Sequence, residues 1–251
     1  MPYRFFSTSR PLVFAHRGGA ALAPENTIAA FDNGLALGAD GLELDVRLSA
    51  DHVVVVHHDA TLDRTTNLRG PLERLSALEL RRAEVPSLAE VLTRYPDSRV
   101  IIEMKLNTAS FAEQVIHVVK MAHAEERVCL GAFGRTALSA ARSLAPEIAT
   151  SAAREEVRMA LYRSWCRWPA RSARYQGYQV PELAGRTRVV SPRFVADAHR
   201  AGLAVQVWTV NEPDQARRLL DWGGGAIITD RPDLMTRIVE SRKAQRTWAG
   251  K

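Results

Sequence analysis

The sequence predicts a (β/α)₈ barrel that forms a single domain over residues 1–251. Apolar, strand-like runs alternate with helix-like segments almost to the end of the chain, and eight such units fit its 251 residues. No linker, low-complexity segment or change of composition divides the chain. A doubly wound sheet is the alternative, but it fits less well because no G-x-G-x-x-G motif opens a helix.

Each predicted strand is a short apolar run, and several end on charged or histidine side chains. The predicted strands lie at 11–16, 41–49, 99–105, 128–133, 147–152, 175–181, 203–210 and 225–230, and the sixth is the least regular. The predicted helices lie at 25–38, 87–95, 111–126, 135–145, 154–165, 192–202, 212–223 and 231–244.

Helix signals support several of these segments. Ile28, Phe31 and Leu35 have helical spacing, and Gly38 suits the position after a helix. Ser87 with Glu90 three residues later has the spacing of a capping box. Residues 50–86, between strand two and its helix, form a small insertion that we expect to lie over the C-terminal mouth of the barrel. An extended run at 51–59 and a short helical segment at 72–83 lie inside it.

Composition narrows the classes of function. The net charge of +6 comes mainly from dispersed arginines, without a basic stripe interleaved with aromatic residues, so we expect no nucleic-acid partner. No apolar run approaches the ~20 residues of a membrane helix, and residues 1–10 lack the apolar stretch of a signal peptide. We therefore expect a cytoplasmic protein without stable membrane insertion. Cys129 and Cys166 predict neither a disulfide framework nor a zinc site, and both are expected to be buried.

Three carboxylates stand near the ends of predicted strands. Glu43 and Asp45 are two residues apart in strand two and therefore share a face, and Glu103 lies near the end of strand three. Two charged carboxylates inside an apolar strand need compensation, which a divalent cation provides. Oxygen ligands suit Mg²⁺ or Ca²⁺, whereas zinc fits less well.

Basic and aromatic side chains stand at the same end of the strands. Arg17 and Lys105 are candidate phosphate contacts, and Trp208 is a candidate wall of the substrate site. His16 ends strand one, and histidine can act as an acid or a base near neutral pH. His57 and His58 follow strand two, and neighbours on a strand point in opposite directions, so only one of them can face the site.

For other polar residues near these strand ends we expect mainly structural roles. Asp230 is expected to cap the last helix, and Asp59 and Arg64 are expected to organise their loop. Glu25 and Asn26 begin the first predicted helix and are candidates to support the site residues from beside the site.

The chain resembles the glycerophosphodiester phosphodiesterases. The resemblance rests on HRGG (16–19), PENT (24–27), GLELDVRLS (41–49), VVHHDATLDRTT (55–66), PSLAEVL (86–92), IIEMK (101–105), AGLAVQVWTVNEP (201–213) and GAIITDRPD (225–233), which occur in family order. The combination is specific, although no single piece is. Residues 223–226 depart from the usual pattern, and 153–188 carry little family signal.

The resemblance implies a (β/α)₈ barrel that hydrolyses small-molecule glycerophosphodiesters to glycerol 3-phosphate and an alcohol. It implies that His16 and His58 are the catalytic pair, because the family's histidine immediately precedes the aspartate. It assigns Glu43, Asp45 and Glu103 as ligands of Mg²⁺ or Ca²⁺, with Mn²⁺ as a third candidate. Arg17 and Lys105 become the phosphate contacts.

Alternatives remain open at this point. A related barrel lyase or phospholipase D-like enzyme acting on lysophospholipids or choline-bearing lipids would use the same histidines and cation. A silent barrel that only binds phosphoesters is disfavoured, because both histidines and all three carboxylates are present. The residues do not assign the attacking oxygen, which is water or an internal hydroxyl, nor which histidine is the acid. The alcohol moiety and the oligomeric state are not readable from the sequence.

Overall fold

The computed structural model describes residues 3–168 and 173–248, and these form the expected (β/α)₈ barrel. The first half comprises β1 (Leu12–His16), α1 (Ile28–Ala36), β2 (Gly41–Leu48), β3 (Val54–Val56), α2 (Ala77–Arg82), α3 (Leu88–Arg94), β4 (Arg99–Met104), α4 (Ala109–Met121) and β5 (Val128–Gly131). The second half comprises α5 (Arg135–Leu144), β6 (Ala149–Thr150), α6 (Arg154–Trp165), β7 (Gly177–Pro181), β8 (Leu183–Ala184), β9 (Thr187–Arg188), α7 (Pro192–Arg200), β10 (Ala204–Trp208), α8 (Pro213–Asp221), β11 (Ala226–Thr229) and α9 (Pro232–Trp248).

Eight parallel strands make the barrel wall, in the order β6-β5-β4-β2-β1-β11-β10-β7. A single parallel bridge between Ser151 and Gly177 joins the two ends of this order, beside a 2.9 Å hydrogen bond from Ala152 N to Gly177 O. Strand β6, which corresponds to the fifth predicted strand, is only two residues long. The barrel is therefore nearly closed, with its shortest pairing between β6 and β7.

The strand register brings polar side chains side by side. His16 on β1 pairs with Glu43 on β2, and Asp45 on β2 pairs with Glu103 on β4. Side chains that lie far apart in sequence therefore meet at the C-terminal end of the barrel, where parallel strands of this fold place their chemistry.

Apolar side chains fill the inside of the barrel and also lie between its strands and the surrounding helices. Phe14, Ile101, Cys129 and Ile228 pack inside, and Phe5 stacks on Phe14 with ring centroids 5.6 Å apart. Cys129 is thus buried as expected, whereas Cys166 is exposed after α6 and contradicts that expectation. Outside, the helices cover the strands through two larger apolar clusters.

One helix start and one capping box differ from the sequence-based expectation. Helix α1 begins at Ile28 rather than at residue 25, because Asn26 adopts a left-handed φ of 59° that a helix cannot contain. Thr27 caps the helix by accepting a bond from Ala30 N. At α3, Ser87 accepts the bond from Glu90 N, but the Glu90 carboxylate pairs with Arg81 instead of completing the capping box.

Two insertions each lie between a barrel strand and the helix that follows it in the sequence. The predicted one at 50–86 contains β3, which pairs antiparallel with β2, and α2, which begins with a complete Ser76/Glu79 capping box. A second insertion, not predicted, is the β8–β9 hairpin between β7 and α7. Among the described residues, no helix is both long and apolar enough to cross a bilayer.

Candidate active site

One small pocket, of about 110 Å³, lies at the C-terminal end of the barrel. Its lining contains every site residue predicted from the sequence: His16, Arg17, Glu43, Asp45, His58, Glu103, Lys105 and Trp208. Ile101, Phe133, Gln179 and Ile228 complete the lining. The structure thus brings together acidic, basic and histidine side chains from β2, from the C-terminal ends of β1 and β4 or just beyond them, and from the loop after β3.

Two of the carboxylates, Glu43 and Asp45, are buried in the wall of the pocket. Arg17 adopts a left-handed φ of 50°, and its backbone N–H donates to Glu43 Oε2 at 3.1 Å. Lys105 Nζ lies 2.8 Å from Asp45 Oδ1, and Asn26 Nδ2 donates to Asp45 Oδ2 at 2.9 Å. Asp45 is therefore held from both sides.

The third carboxylate, Glu103, is poorly satisfied. Its Oε1 is buried without a hydrogen-bond partner among the described residues. Burial raises the pKa of Glu103 to about 8 and also raises the pKa of Glu43. Burial acts in the same direction on Asp45, but the positive charges of Lys105 and Arg17 outweigh it and lower the pKa of Asp45. Two of the three acids are thus short of positive charge.

These acids have the chemistry of a hard-cation site, although they are not assembled as one. In the parts of the chain that the structure describes, no three His, Cys, Asp or Glu side chains gather in a way that would hold a metal ion. Both oxygens of Asp45 already have partners, Lys105 for Oδ1 and Asn26 for Oδ2. The orphaned oxygen of Glu103 and the all-carboxylate donor set fit Mg²⁺ or Ca²⁺.

His16 is oriented by a carboxylate from the far end of the chain. Its Nδ1 lies 2.7 Å from Asp230 Oδ1, and its Nε2 lies 3.8 Å from Glu43 Oε2. Asn211 Nδ2 donates to the other oxygen of Asp230 at 2.9 Å. Burial acts to lower the pKa of His16, but the charges of Glu43 and Asp230 outweigh it, so the pKa is raised. Asp230 thus holds His16 with one oxygen and Asn211 with the other, which replaces the helix-capping role expected from the sequence.

His58 has a matching arrangement. Its Nδ1 lies 2.6 Å from Asp59 Oδ1, and Arg64 Nε donates to Asp59 Oδ2 at 2.6 Å. Burial lowers the pKa of His58, and the hydrogen bond to Asp59 offsets only part of that effect. The neighbouring His57 is buried and turned away, with Nε2 3.1 Å from Thr61 O. The expectation that only one of these histidines faces the site is confirmed.

Glu25 connects Arg17 to Arg64, which lies in the loop that carries His58. It accepts two hydrogen bonds from Arg64, at 2.7 and 2.8 Å, and one from Arg17 at 2.9 Å. Its pKa is lowered, because these bonds and charges outweigh burial. Through Arg64 and Asp59, Glu25 reaches His58, and through Arg17 it reaches Asp45, which lies 3.2 Å from Arg17 Nε. Glu25 thus supports the loop that carries His58.

Trp208 and Phe133 form one edge of the pocket, and their rings are 6.2 Å apart in an edge-to-face arrangement. Lys105 Nζ lies 5.7 Å from the centre of the Phe133 ring. Gln179 on β7 donates from Nε2 to Gln206 Oε1 at 2.9 Å. Sequence reasoning missed Phe133 and Gln179; their position late in, or just after, a predicted strand was the available signal.

Comparison with known proteins identifies the family of this chain. Residues 16–234 match the model of the glycerophosphoryl diester phosphodiesterase family. The Probable glycerophosphodiester phosphodiesterase 2 of Mycobacterium tuberculosis is 34% identical over 247 residues, which cover 92% of this chain and 91% of that protein.

Two solved structures are similar over almost the whole chain. A glycerophosphodiester phosphodiesterase from Agrobacterium tumefaciens has a TM-score of 0.72 at 28% identity, covering 90% of this chain and 98% of that one. A phosphodiesterase from Oleispira antarctica, solved with the product sn-glycerol-3-phosphate, has a TM-score of 0.73 at 25% identity, covering 92% and 97%. The chain belongs to the glycerophosphoryl diester phosphodiesterase family of hydrolases.

Proposed function

We propose that this protein hydrolyses glycerophosphodiesters to glycerol 3-phosphate and an alcohol, in a cation-dependent reaction in which His16 and His58 transfer the protons. One observation carries the proposal. Both imidazoles line the same small pocket, and each has its Nδ1 held by a carboxylate, Asp230 for His16 and Asp59 for His58.

The carboxylates determine which nitrogens are available. A carboxylate that faces Nδ1 accepts a hydrogen bond from it, so Nε2 of each ring is the nitrogen left for a substrate oxygen. One ring takes the proton of the attacking oxygen and the other protonates the departing alcohol. Such proton transfer is typically worth about 10²–10⁴-fold in rate for each group.

The positive side chains account for phosphate binding. Arg17 and Lys105 flank Asp45 at the pocket wall, within 3.2 and 2.8 Å of its oxygens. A phosphodiester anion that enters the pocket meets both charges, and charge that builds up on its oxygens in the transition state is stabilised there. Trp208 lines one edge of the pocket.

Glu43, Asp45 and Glu103 would hold a Mg²⁺ or Ca²⁺ ion. Such an ion, when bound, would polarise the phosphoryl group of the substrate. The orphaned Glu103 oxygen supports this assignment. For the glycerol 3-phosphate half of the substrate, support comes from the similar Oleispira antarctica structure, which contains that product.

The adjacent histidines offer a matched test. His58→Gln should lower kcat for glycerophosphoglycerol at least 10²-fold, because it removes a titratable group from the pocket. His57→Gln should keep kcat within about threefold, because His57 points to Thr61 O and not to the pocket. Equal losses in both variants, with both proteins folded, would contradict the proton-transfer role of His58.

A further inference from the structure

A second and larger cleft, of about 700 Å³, opens directly beside the catalytic pocket. The two share Glu103, Phe133, Gln179 and Trp208 in their linings, so a molecule can extend from one into the other. Its volume falls within the ~300–1,000 Å³ that is typical of small-molecule sites. The catalytic pocket alone, at about 110 Å³, leaves little room beyond a glycerol phosphate.

The walls of the cleft are mostly apolar. The β8–β9 hairpin contributes one side and the first turns of α6 contribute the other. Its apolar lining includes Val157, Leu161, Val180, Leu183 and Val189. Leu183 is 51% exposed, although it lies along the cleft, so it has apolar surface left for a ligand to cover.

The hairpin wall is anchored at its base. Glu182 is buried and accepts hydrogen bonds from Arg188 at 2.8 Å, from Gln215 at 2.7 Å and from Arg218 at 2.9 Å. Val189 N also donates to Glu182 O at 2.9 Å. These bonds join the hairpin to α8, so the cleft exists before a ligand arrives, and little ordering cost accompanies binding.

The charges around the cleft disfavour a cationic ligand. Arg154 and Arg158 line it, and the only carboxylate in its described lining is Glu103, at the junction with the catalytic pocket. Phe133 could attract a quaternary ammonium group through its ring, but Lys105 Nζ already lies 5.7 Å from that ring centre and would repel it. An apolar, uncharged group fits these walls better than choline or ethanolamine.

We propose that this cleft binds an apolar alcohol moiety of the diester, so that glycerol 3-phosphate esters of neutral, chain-bearing alcohols are preferred substrates. The inference rests on the proposed function, because the phosphodiester in the catalytic pocket places the alcohol. The polar pocket takes the glycerol phosphate, and the alcohol extends past Phe133 and Trp208 to Leu183.

The test compares glycerol 3-phosphate esters of methanol, n-butanol and n-hexanol, below their micellar concentrations. Each buried methylene group of the alcohol can raise kcat/KM at most about fourfold. We expect kcat/KM to rise at least tenfold from the methyl to the hexyl ester, and to exceed the value for glycerophosphocholine. A kcat/KM that is independent of chain length, or highest for glycerophosphocholine, would overturn the proposal.

Leu183→Asn should lower the hexyl-to-methyl ratio of kcat/KM at least threefold, and Leu183→Met should keep the wild-type ratio. Leu144→Asn is the matched control, because Leu144 is also 51% exposed but lies at the end of α5, outside the cleft lining. Equal hexyl-to-methyl ratios in Leu183→Asn and Leu144→Asn would contradict the assignment. A gain in kcat/KM that depends on Leu183 but appears only when the alkyl chain is esterified to the glycerol would also contradict it.

Direct binding separates this inference from the proposed function. Calorimetric titration with n-octyl phosphate should give a Kd at least tenfold lower than with methyl phosphate, and Leu183→Asn should reduce that difference. This result is independent of turnover. If no diester is hydrolysed with any cation, the proposed function fails, whereas equal affinities for the two phosphates would overturn the cleft assignment by itself.

Discussion

Glu103 gives the sharpest prediction about the carboxylate cluster. Its side chain is half-buried, its Oε1 has no partner among the described residues, and its pKa lies at about 8 against an ordinary value of 4.5. Glu103→Gln keeps the shape of the side chain but removes its ionisation. Without a divalent cation, the variant should be more stable than the wild type at alkaline pH, although it loses activity.

The sign follows from proton linkage. Below pH 4.5 the carboxyl group is protonated in both the folded and the unfolded chain, and between 4.5 and about 8 only the folded chain keeps the proton. The wild type therefore loses stability as the pH rises through about 8. At about 1.4 kcal/mol per pH unit, the full effect would be on the order of 5 kcal/mol. Solvent screening of a half-buried group reduces this to about 2 kcal/mol.

Thermal unfolding in EDTA from pH 5 to pH 9 measures this effect. About 2 kcal/mol corresponds to a gain of about 4–8 °C in the Tm of Glu103→Gln relative to wild type between the two ends of the range. Glu113→Gln, an exposed substitution on α4, is the control and should follow the wild-type curve. Addition of Mg²⁺ or Ca²⁺ at pH 8 should stabilise the wild type but not Glu103→Gln. Parallel pH curves for the wild type and Glu103→Gln would refute the reasoning.

Three further substitutions have expected outcomes. Asp230→Asn should lower kcat about 10²-fold in a folded protein, because the amide no longer fixes the tautomer of His16; steady-state kinetics and circular dichroism test this. Lys105→Met should cost about 3 kcal/mol in urea unfolding, because it leaves the buried Asp45 charge without its nearest cation. Gly34→Ala should lower stability by about 2 kcal/mol, since its Cβ would lie 2.7 Å from a backbone oxygen; an unchanged urea midpoint would contradict this.

The fold and the main site residues could be predicted because both follow from local patterns. Side-chain alternation placed Glu43 and Asp45 on one face, and polar strand ends converge in a parallel barrel whatever the details of packing. The same alternation separated His57 from His58. These inferences needed no information about contacts distant in sequence.

Residues that act through distant partners could not be predicted in the same way. Asp230 contacts His16 across 214 positions, which no local pattern encodes, so it was expected to cap a helix instead. Asn26 adopts a left-handed φ and bonds to Asp45, 19 positions away, and α1 begins only after it. Strands β8 and β9 are two residues each, too short for a periodic signal, so the wall of the second cleft was missed.

The rate of glycerol 3-phosphate release after removal and return of divalent cations tests the central claim most directly. With excess EDTA, the protein should release essentially no glycerol 3-phosphate from glycerophosphoglycerol, and Mg²⁺ or Ca²⁺ should restore the rate. Glu103→Gln should show no such restoration, because it lacks one carboxylate of the cluster. An undiminished wild-type rate in excess EDTA would contradict the claim that these three acids bind a cation that the reaction needs.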